Sequence, residues 1–342
     1  MKSTQYRARS PLAFVLLAVL IIGCAVTSEP PVGCSEVVLP GQAIPRALFE
    51  LKEMDMHLHA GMERSIPMQE WIDLAVADGR KVIILLDHIE LYRKSAAAYK
   101  AWAKERGFPQ WYTVGREGHA ALMKDLASVN DRDDVITFRG WEIYEGELSS
   151  GVEPEPMRMA EVIGWHISPH HGGRAPDGQL LIRRAKQIAE IQKEFPVPMI
   201  LFHPFTMRIE NLQRTAKERG ADLSTLTVDD YRFFQPCEQE ELVRLLKGTS
   251  IYIEISRGTR RCWADPVVRE ALIADIKPLA EAGVQFTVST DSHGVESAKR
   301  PFEPERYCDA LGVTPENTNT IVRELLALRA RNSLRKAQGT SN

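Results

Sequence analysis

Seven short apolar runs, mostly separated by amphipathic stretches, constrain the fold of this chain more than any other feature. The runs cover residues 51–59, 81–88, 135–144, 161–167, 198–203, 250–256 and 285–291. Several are almost continuously apolar, as from Val82 to Leu86, which is typical of parallel strands buried on both faces. Helical patterns lie between them at 68–77, 180–195, 238–246 and 265–282. The alternation predicts an α/β fold with a β/α barrel, and an open doubly wound sheet is the alternative.

Three insertions interrupt this alternation. The segment 89–134 is long and contains helical patterns at 94–106 and 117–129. The segments 145–159 and 168–177 are rich in glycine and proline and are expected to be loops. Because the loops after strand ends build the active site in β/α barrels, we expect some of these segments to surround it.

The first 23 residues differ from the rest of the chain and are expected to be a signal peptide. Basic residues precede an apolar run at 12–22, which is too short for a stable membrane span but typical of an export signal. The run leads into Gly23-Cys24, which resembles the lipobox of bacterial lipoproteins. That resemblance implies lipidation of Cys24, with residues 24–48 as a lipid-anchored tether at the extracytoplasmic face of the cell envelope. An ordinary secretory signal or a short membrane anchor is the alternative.

Residues 49–335 are expected to form one barrel domain. The chain has 342 residues and 44% hydrophobic residues, enough to bury a core without disulfide bonds. A last helix at 315–331 is expected to pack on the barrel or to serve an interface. The net charge of −3 and the absence of a long basic block argue against nucleic-acid binding.

Four cysteines remain if Cys24 is lipidated, and export would place them where disulfides can form. They are Cys34, Cys237, Cys262 and Cys308. Four cysteines allow three pairings, and the sequence does not choose among them. Since none belongs to a CxxC pair, a zinc–thiolate site is not expected.

Polar residues with metal-binding side chains collect near the carboxyl ends of the predicted strands. Six of the nine histidines do so, and the full set of nitrogen and oxygen donors is His57, His59, His88, Glu142, His166, His203, Asp291 and His293. Strand alternation places Asp55, His57 and His59 on one face. A carboxylate in an apolar strand, as at Glu142, needs a cation or hydrogen-bond donors. The set predicts a divalent metal site.

Two further features lie on the sixth predicted strand and just after it. Glu254 occupies an apolar run without a neighbouring histidine, and we expect it to support the fold or the ligands. Arg257, Arg260 and Arg261 follow the run, and guanidinium groups bind phosphate through paired hydrogen bonds. They are therefore candidate substrate-binding residues, with a solvated loop cluster as the alternative. His170 and His171 are candidates to reach the mouth of the site.

The order of these motifs resembles the polymerase and histidinol phosphatase (PHP) superfamily. The matching motifs are Asp55-x-His57-x-His59, Asp87-His88, a strand glutamate at 142, His166, His203-Pro204 and Asp291-x-His293. The resemblance covers residues 50 to 295. It implies a distorted, TIM-like (β/α)7 barrel that binds two or three divalent ions, zinc, manganese or iron.

The resemblance also implies how the ligands are shared. His57, His59, Glu142 and Asp291 would hold one ion, and Glu142 would bridge to a second ion completed by His166 and His203. His88 and His293 would belong to a third ion. The family often has another third-site histidine shortly after the first motif, but residues 60–66 contain none, and Glu63 is the nearby candidate. Occupancy of the third site is therefore in doubt.

The resemblance implies a metal-dependent hydrolase that acts on a phosphomonoester or a phosphodiester, and we expect a small phosphorylated molecule as its substrate. Paired ions make hydroxide available near neutral pH, and Asp291 is placed to orient the attacking water. If the third ion is absent, His88 or His293 can protonate the leaving oxygen. An amidohydrolase that cleaves amides or lactones is an alternative, although no predicted central strand ends in the lysine such enzymes usually carbamylate. A non-catalytic metal-binding envelope lipoprotein is another.

Overall fold

The computed structural model describes most of the chain from residue 48 onward. The described residues are 48–60, 67–89, 132–143, 154–167, 178–206 and 225–338, with 104, 124–125, 128–129, 213–214, 217–218, 220 and 222. The chain divides into two units, Met1–Val38 and Leu39–Asn342, and all described residues belong to the second.

Several sequence predictions lie outside the described residues. They are the signal peptide at 1–23, Cys24, the tether up to residue 47, Cys34, Glu63, His170, His171 and nearly all of the helical patterns at 94–106 and 117–129. Among the helices that the structure does describe, none combines the length and the apolar character that a membrane span requires.

Seven parallel strands form one sheet in the order in which they occur along the chain. They are β1 (Met54–Leu58), β2 (Val82–His88), β3 (Ile136–Ile143), β4 (Val162–His166), β5 (Met199–Phe202), β6 (Ile251–Ser256) and β7 (Phe286–Ser289). The end of β1 meets the segment after β7, where His59 N donates to Ser292 O at 2.9 Å and Asp291 N donates to His57 O at 3.1 Å. These contacts nearly close the sheet, so the predicted (β/α)7 barrel is confirmed and the open sheet is wrong.

The helices lie between and after the strands. In the described residues they are α1 (Met68–Ala77), α2 (Pro154–Met159), α3 (Gly178–Glu194), α4 (Pro236–Leu246), α5 (Arg260–Trp263), α6 (Pro266–Glu281), α7 (Val295–Ala298), α8 (Glu305–Leu311) and α9 (Pro315–Ala337). Local sequence explains the start of α6, where the Asp265 carboxylate accepts from Val267 N and Val268 N and a proline occupies the first turn.

The structure corrects two of the predicted segments. Residues Leu51–Glu53, predicted as the start of a strand, form a 3-10 helix because the Glu53 carboxylate accepts from Glu50 N at 3.0 Å. Part of the predicted loop at 145–159 is instead helix α2, whose prolines at 154 and 156 occupy its first turn, where a proline leaves no helical hydrogen bond unmade. The short helices α5, α7 and α8 were not predicted.

Strand register places the site residues beside one another. His88 on β2 lies opposite Glu142 on β3, and Glu142 lies opposite Gly164 on β4. A Cβ atom at Gly164 would come within 1.7 Å of the Phe202 ring. The glycine therefore lets Phe202 fill the barrel interior, where its ring centroid lies 3.8 Å from that of His57.

The last helix, α9, packs on the barrel, which is one of the two alternatives that the sequence predicts for it. The Arg329 guanidinium lies 4.3 Å from the centre of the Phe138 ring and donates to the Glu161 carboxylate. Asn319 exchanges two hydrogen bonds with the backbone of Phe49, at 2.9 and 2.8 Å. The helix thus joins the start of the barrel to its end.

Two of the cysteines whose pairing the sequence left open are free thiols. Cys237 is exposed and Cys308 is buried, and neither belongs to a disulfide among the described residues.

Candidate metal centre

The end of β1 supplies two imidazoles to the interior of the barrel. His57 and His59 are completely buried, and their Nε2 atoms lie 2.9 Å apart. Two residues along an extended strand return to the same face, so the local geometry alone brings the rings together. The pair faces the carboxyl ends of the other strands, where β/α barrels place their sites.

Glu142, near the carboxyl end of β3, directs one carboxylate oxygen at three imidazole rings. Its Oε2 lies 3.3 Å from His57 Nε2, 3.1 Å from His59 Nε2 and 3.3 Å from His88 Nε2. Because β2 and β3 are paired with His88 opposite Glu142, this convergence follows from strand register.

The other oxygen of Glu142 faces a different pair of rings. Its Oε1 lies 2.8 Å from His166 Nδ1 and 3.0 Å from His203 Nε2. One carboxylate therefore faces two separate sets of imidazoles through its two oxygens. This is the arrangement that a carboxylate shared between two ions requires.

Asp291 and His293 complete the cluster from the segment after β7. Asp291 Oδ1 lies 3.7 Å from His57 Nε2, 3.6 Å from His59 Nε2 and 3.3 Å from His293 Nδ1. Asp291 has a φ of 53° and His203 a φ of 38°, and they are the two non-glycine residues with positive φ in the described part of the chain. Such conformations are costly and persist where surrounding contacts hold them, often at functional sites.

Glu254 supports ligands on two sides of the cluster. Its Oε1 lies 2.8 Å from His57 Nδ1 and accepts from Ser289 Oγ at 2.5 Å, and its Oε2 accepts from His203 N at 2.5 Å. A carboxylate on one ring nitrogen orients an imidazole and leaves the other nitrogen for an ion. Glu254 therefore fixes the side chain of one predicted ligand and the backbone of another.

Asp55 anchors the segment that carries Asp291. Its Oδ1 accepts from Thr290 N at 2.9 Å, and its Oδ2 accepts from Thr290 Oγ1 at 2.7 Å. The buried Arg80 guanidinium lies 3.4 Å from the same carboxylate. Strand alternation places Asp55 on the face of His57, but its partner Thr290, just after β7, is 235 residues away, and sequence pattern alone does not reveal it.

The donor atoms fall into four groups whose members all lie within 4.8 Å of one another. The groups are His57, His59 and Asp291; Glu142, His166 and His203; His59, His88 and His293; and His57, His203 and Glu254. The second group has the members that the motif resemblance implies for one ion. The first lacks Glu142 from the implied set, and the third contains His59 besides the implied His88 and His293. Imidazole and carboxylate are the ligands that zinc, iron and manganese take in proteins, so the donor set fits divalent metal ions.

The electrostatics of the cluster favour positive charge at its centre. Burial raises the pKa of Glu142, but the imidazoles, His88 first and then His57 and His166, hold it well below its usual value. Burial lowers the pKa of His57, but the Glu254 and Glu142 carboxylates raise it to about 10. Glu142 is thus ionised, and cations bound at the centre would offset its charge.

Arginines and a cavity adjoin the cluster. The cavity has a volume of about 690 Å³, and its lining includes the predicted Arg257, Arg260 and Arg261 together with Asp291 and His293. Arg300, which the sequence analysis did not single out, lines it as well. No local motif marks Arg300, because α7 and the turn after it bring it to the cavity.

The structure thus brings together all eight predicted metal-binding residues and places all three predicted arginines beside them. Glu254, expected to support either the fold or the ligands, contacts two of the eight. That these residues bind metal, and that Asp291, His88 and His293 take part in catalysis, remains a prediction.

Neither a protein-family model nor a curated protein sequence matches the chain. Among solved structures, it is similar to the histidinol phosphate phosphatase of Lactococcus lactis subsp. lactis, a structure with zinc, L-histidinol and phosphate. The TM-score is 0.43 and the identity 15%, over 76% of this chain and 92% of that chain.

Two structures from Thermotoga maritima are also similar in part. Phospho-2-dehydro-3-deoxyheptonate aldolase has a TM-score of 0.30 and 12% identity, over 84% of this chain and 69% of that chain. A truncated 3-deoxy-D-arabino-heptulosonate 7-phosphate synthase has a TM-score of 0.26 and 13% identity, over 85% and 90%. The fold of this chain rests on its own strand order and register.

Proposed function

We propose that the protein is a metal-dependent phosphoesterase that hydrolyses a small phosphorylated molecule. The observation that carries the proposal is Glu142, whose two oxygens face two separate sets of imidazoles at 2.8 to 3.3 Å. The arginine-lined cavity beside Asp291 and His293 supports a substrate with phosphate charge.

The residues that would hold the ions are the eight predicted ligands. They are His57, His59, His88, Glu142, His166, His203, Asp291 and His293. Divalent ions at such a site lower the pKa of water and neutralise phosphoryl oxygens. We expect two strongly held ions, with Glu142 between them, and a weaker third, since residues 60–66 offer no histidine.

The chain's own residues would position the reactants. Asp291, held in its conformation through its backbone N–H and through the Asp55–Thr290 contacts, orients the attacking water. His88 and His293 flank the cluster and, where the third ion is absent, are the candidates to protonate the leaving oxygen. Arg257, which lines the cavity next to Asp291 and His293, binds the phosphate from the cavity side.

Assays on the purified full-length protein test this function. Protein loaded with zinc or manganese is given a phosphomonoester, a phosphodiester and a carboxylic ester, with the Glu142→Gln variant as control. We expect turnover of a phosphate ester, and about two equivalents of metal by elemental analysis. Turnover of the carboxylic ester alone would support the amide or lactone alternative. A metal-free preparation with full activity would overturn the proposal.

We also propose that the protein is a lipoprotein of the cell envelope, because an apolar run at 12–22 leads into Gly23-Cys24. Diacylation of a cysteine gives stable membrane attachment, which a single acyl chain does not. The Cys24→Ser variant should move from the membrane to the soluble fraction or remain unprocessed. Unchanged fractionation and unchanged processing of that variant would contradict the anchor.

A further inference from the structure

The cavity beside the eight predicted metal ligands carries more positive charge than one phosphate requires. Four arginines and one aspartate line it, although the chain as a whole has a net charge of −3. The aspartate is Asp291, whose carboxylate faces the imidazoles. The side of the cavity away from the cluster therefore presents guanidinium groups to a bound molecule.

The arginines are not equivalent. Arg257 is held by the protein: its guanidinium donates to Ser297 O at 2.8 Å, Ser297 Oγ at 2.7 Å and Ser292 Oγ at 3.3 Å. Because Ser292 lies between Asp291 and His293 in the chain, its contact with Arg257 holds that guanidinium next to the predicted metal site.

The outer arginines are more accessible. The Arg260 side chain is 49% exposed and lies 3.8 Å from Glu303 at its nearest, a loose contact, and Arg261 is also exposed. With Arg300, they form a second group of guanidiniums in the same cavity. Their accessible positions allow them to bind an anion that enters from solvent.

The size of the cavity adds a second constraint. A volume of about 690 Å³ lies within the range of pockets that take small organic molecules, which is roughly 300–1,000 Å³. A single phosphate held at the ions would leave most of this space, and the outer arginines, without a partner on the ligand.

We propose that the substrate carries a second anionic group, a phosphate or a carboxylate, which Arg260, Arg261 and Arg300 bind. The scissile phosphate would then lie at the eight predicted metal ligands. This inference rests on the proposed phosphoesterase function and names its substrate class. Guanidinium pairs with either anion through two parallel hydrogen bonds, so the chemistry is shared.

Three matched phosphomonoesters test the inference on the metal-loaded full-length protein. They are propane-1,3-diol bisphosphate, 3-phosphonooxypropanoate and 3-hydroxypropyl phosphate, which differ in the group at the far end. We expect kcat/KM for at least one doubly anionic substrate to exceed that for the substrate with a neutral far end by about tenfold, which corresponds to about 1.4 kcal/mol. Which anion is preferred distinguishes phosphate from carboxylate.

Variants then show which arginines cause the difference in kcat/KM. The Arg260→Ala/Arg261→Ala double variant, and separately Arg300→Gln, should reduce the ratio of kcat/KM values toward one. Arg244→Ala, at an exposed arginine on α4, is the matched control and should keep the ratio. Circular dichroism checks that each variant folds.

The outcomes separate the inference from the function on which it rests. Equal kcat/KM values for the three substrates would overturn the second anion site and leave the phosphoesterase intact. If none of the three is hydrolysed, the proposed phosphoesterase function is wrong, and ligand binding measured by calorimetry then tests the second anion site. Tighter binding of the bisphosphate than of 3-hydroxypropyl phosphate, lost in the double variant, would support it, and equal binding would overturn it.

Discussion

Glu142 on β3 and Glu254 on β6 are both completely buried, yet they have different kinds of partner. Glu142 directs both oxygens at imidazole nitrogens of five histidines. Glu254 faces one imidazole, the hydroxyl of Ser289 and the backbone N–H of His203. A buried carboxylate needs compensation in either case. For Glu254, the hydroxyl of Ser289 and the backbone N–H of His203 provide much of this compensation. The ring nitrogens around Glu142 provide it fully only if they carry protons or bind metal ions.

The difference separates two roles that the sequence alone does not separate. Both glutamates lie in apolar strands, and substitution of either would remove a buried charge. We expect Glu142 to determine whether the ions bind, and Glu254 to determine how strongly the histidines hold them. The predictions below test this division.

The largest effect is expected for Glu142→Gln. The amide keeps the shape of the side chain but loses the charge that would offset two divalent ions. Metal content should fall together with turnover, by about 100-fold or more in activity, beyond the usual effect of residues that only orient ligands. Elemental analysis and steady-state kinetics on the same preparation measure both, with circular dichroism as the folding control. If this variant keeps its metals and most of its turnover, the shared ligand must be sought at Asp291 or Glu254.

A smaller effect is expected for Glu254→Gln. The variant loses the carboxylate that orients His57 and the backbone of His203, but the ligand atoms themselves remain. Metal stoichiometry should be retained at saturating metal, while metal affinity falls about 10- to 100-fold. Titration with a competing chelator measures the affinity. Ser289→Ala, which removes one donor to Glu254, is the matched control and should have a weaker effect in the same direction. Complete loss of metal from Glu254→Gln would make Glu254 a ligand.

The sequence predicted the barrel and the members of the cluster for a physical reason. Parallel strands buried on both faces appear as apolar runs, and polar residues near their carboxyl ends must meet at one end of a closed barrel. His57, His59, Glu142 and Asp291 could be placed in this way without knowledge of any distance.

What the sequence could not predict depends on contacts between distant segments. The hydrogen bonds of Glu254 join β5, β6 and β7 to β1, and those of Asp55 join residues 235 positions apart. Arg300 reaches the cavity through helix α7, a four-residue helix too short for a periodic signal. Such residues are recognised from tertiary structure, because their local sequence resembles that of any buried strand or loop.

A third buried carboxylate, Asp275 on α6, gives a reference for burial without a metal site. Its Oδ1 accepts from Arg232 Nε at 2.6 Å and its Oδ2 from Phe233 N at 2.8 Å. Burial raises the pKa of Asp275 to about 6, although both partners oppose the rise. Unlike Glu142, it has an arginine as its counterion, so its substitution should alter stability and not metal content.

The expected pH dependence follows from that raised pKa. Between about pH 4 and pH 6 the folded state binds a proton at Asp275 that the unfolded state has released, so the contribution of this group to stability is greatest below pH 4 and is lost as the pH rises to 6. Two pKa units correspond to about 3 kcal/mol. Asp275→Asn does not titrate, so its free energy of unfolding relative to wild type should increase over this range, measured by urea denaturation with chelator present in both samples. A constant difference would show that folding does not raise the pKa of Asp275. Loss of metal from the reloaded variant would show that substitution of a buried carboxylate away from the cluster also perturbs the site, which would weaken the contrast between Glu142 and Glu254.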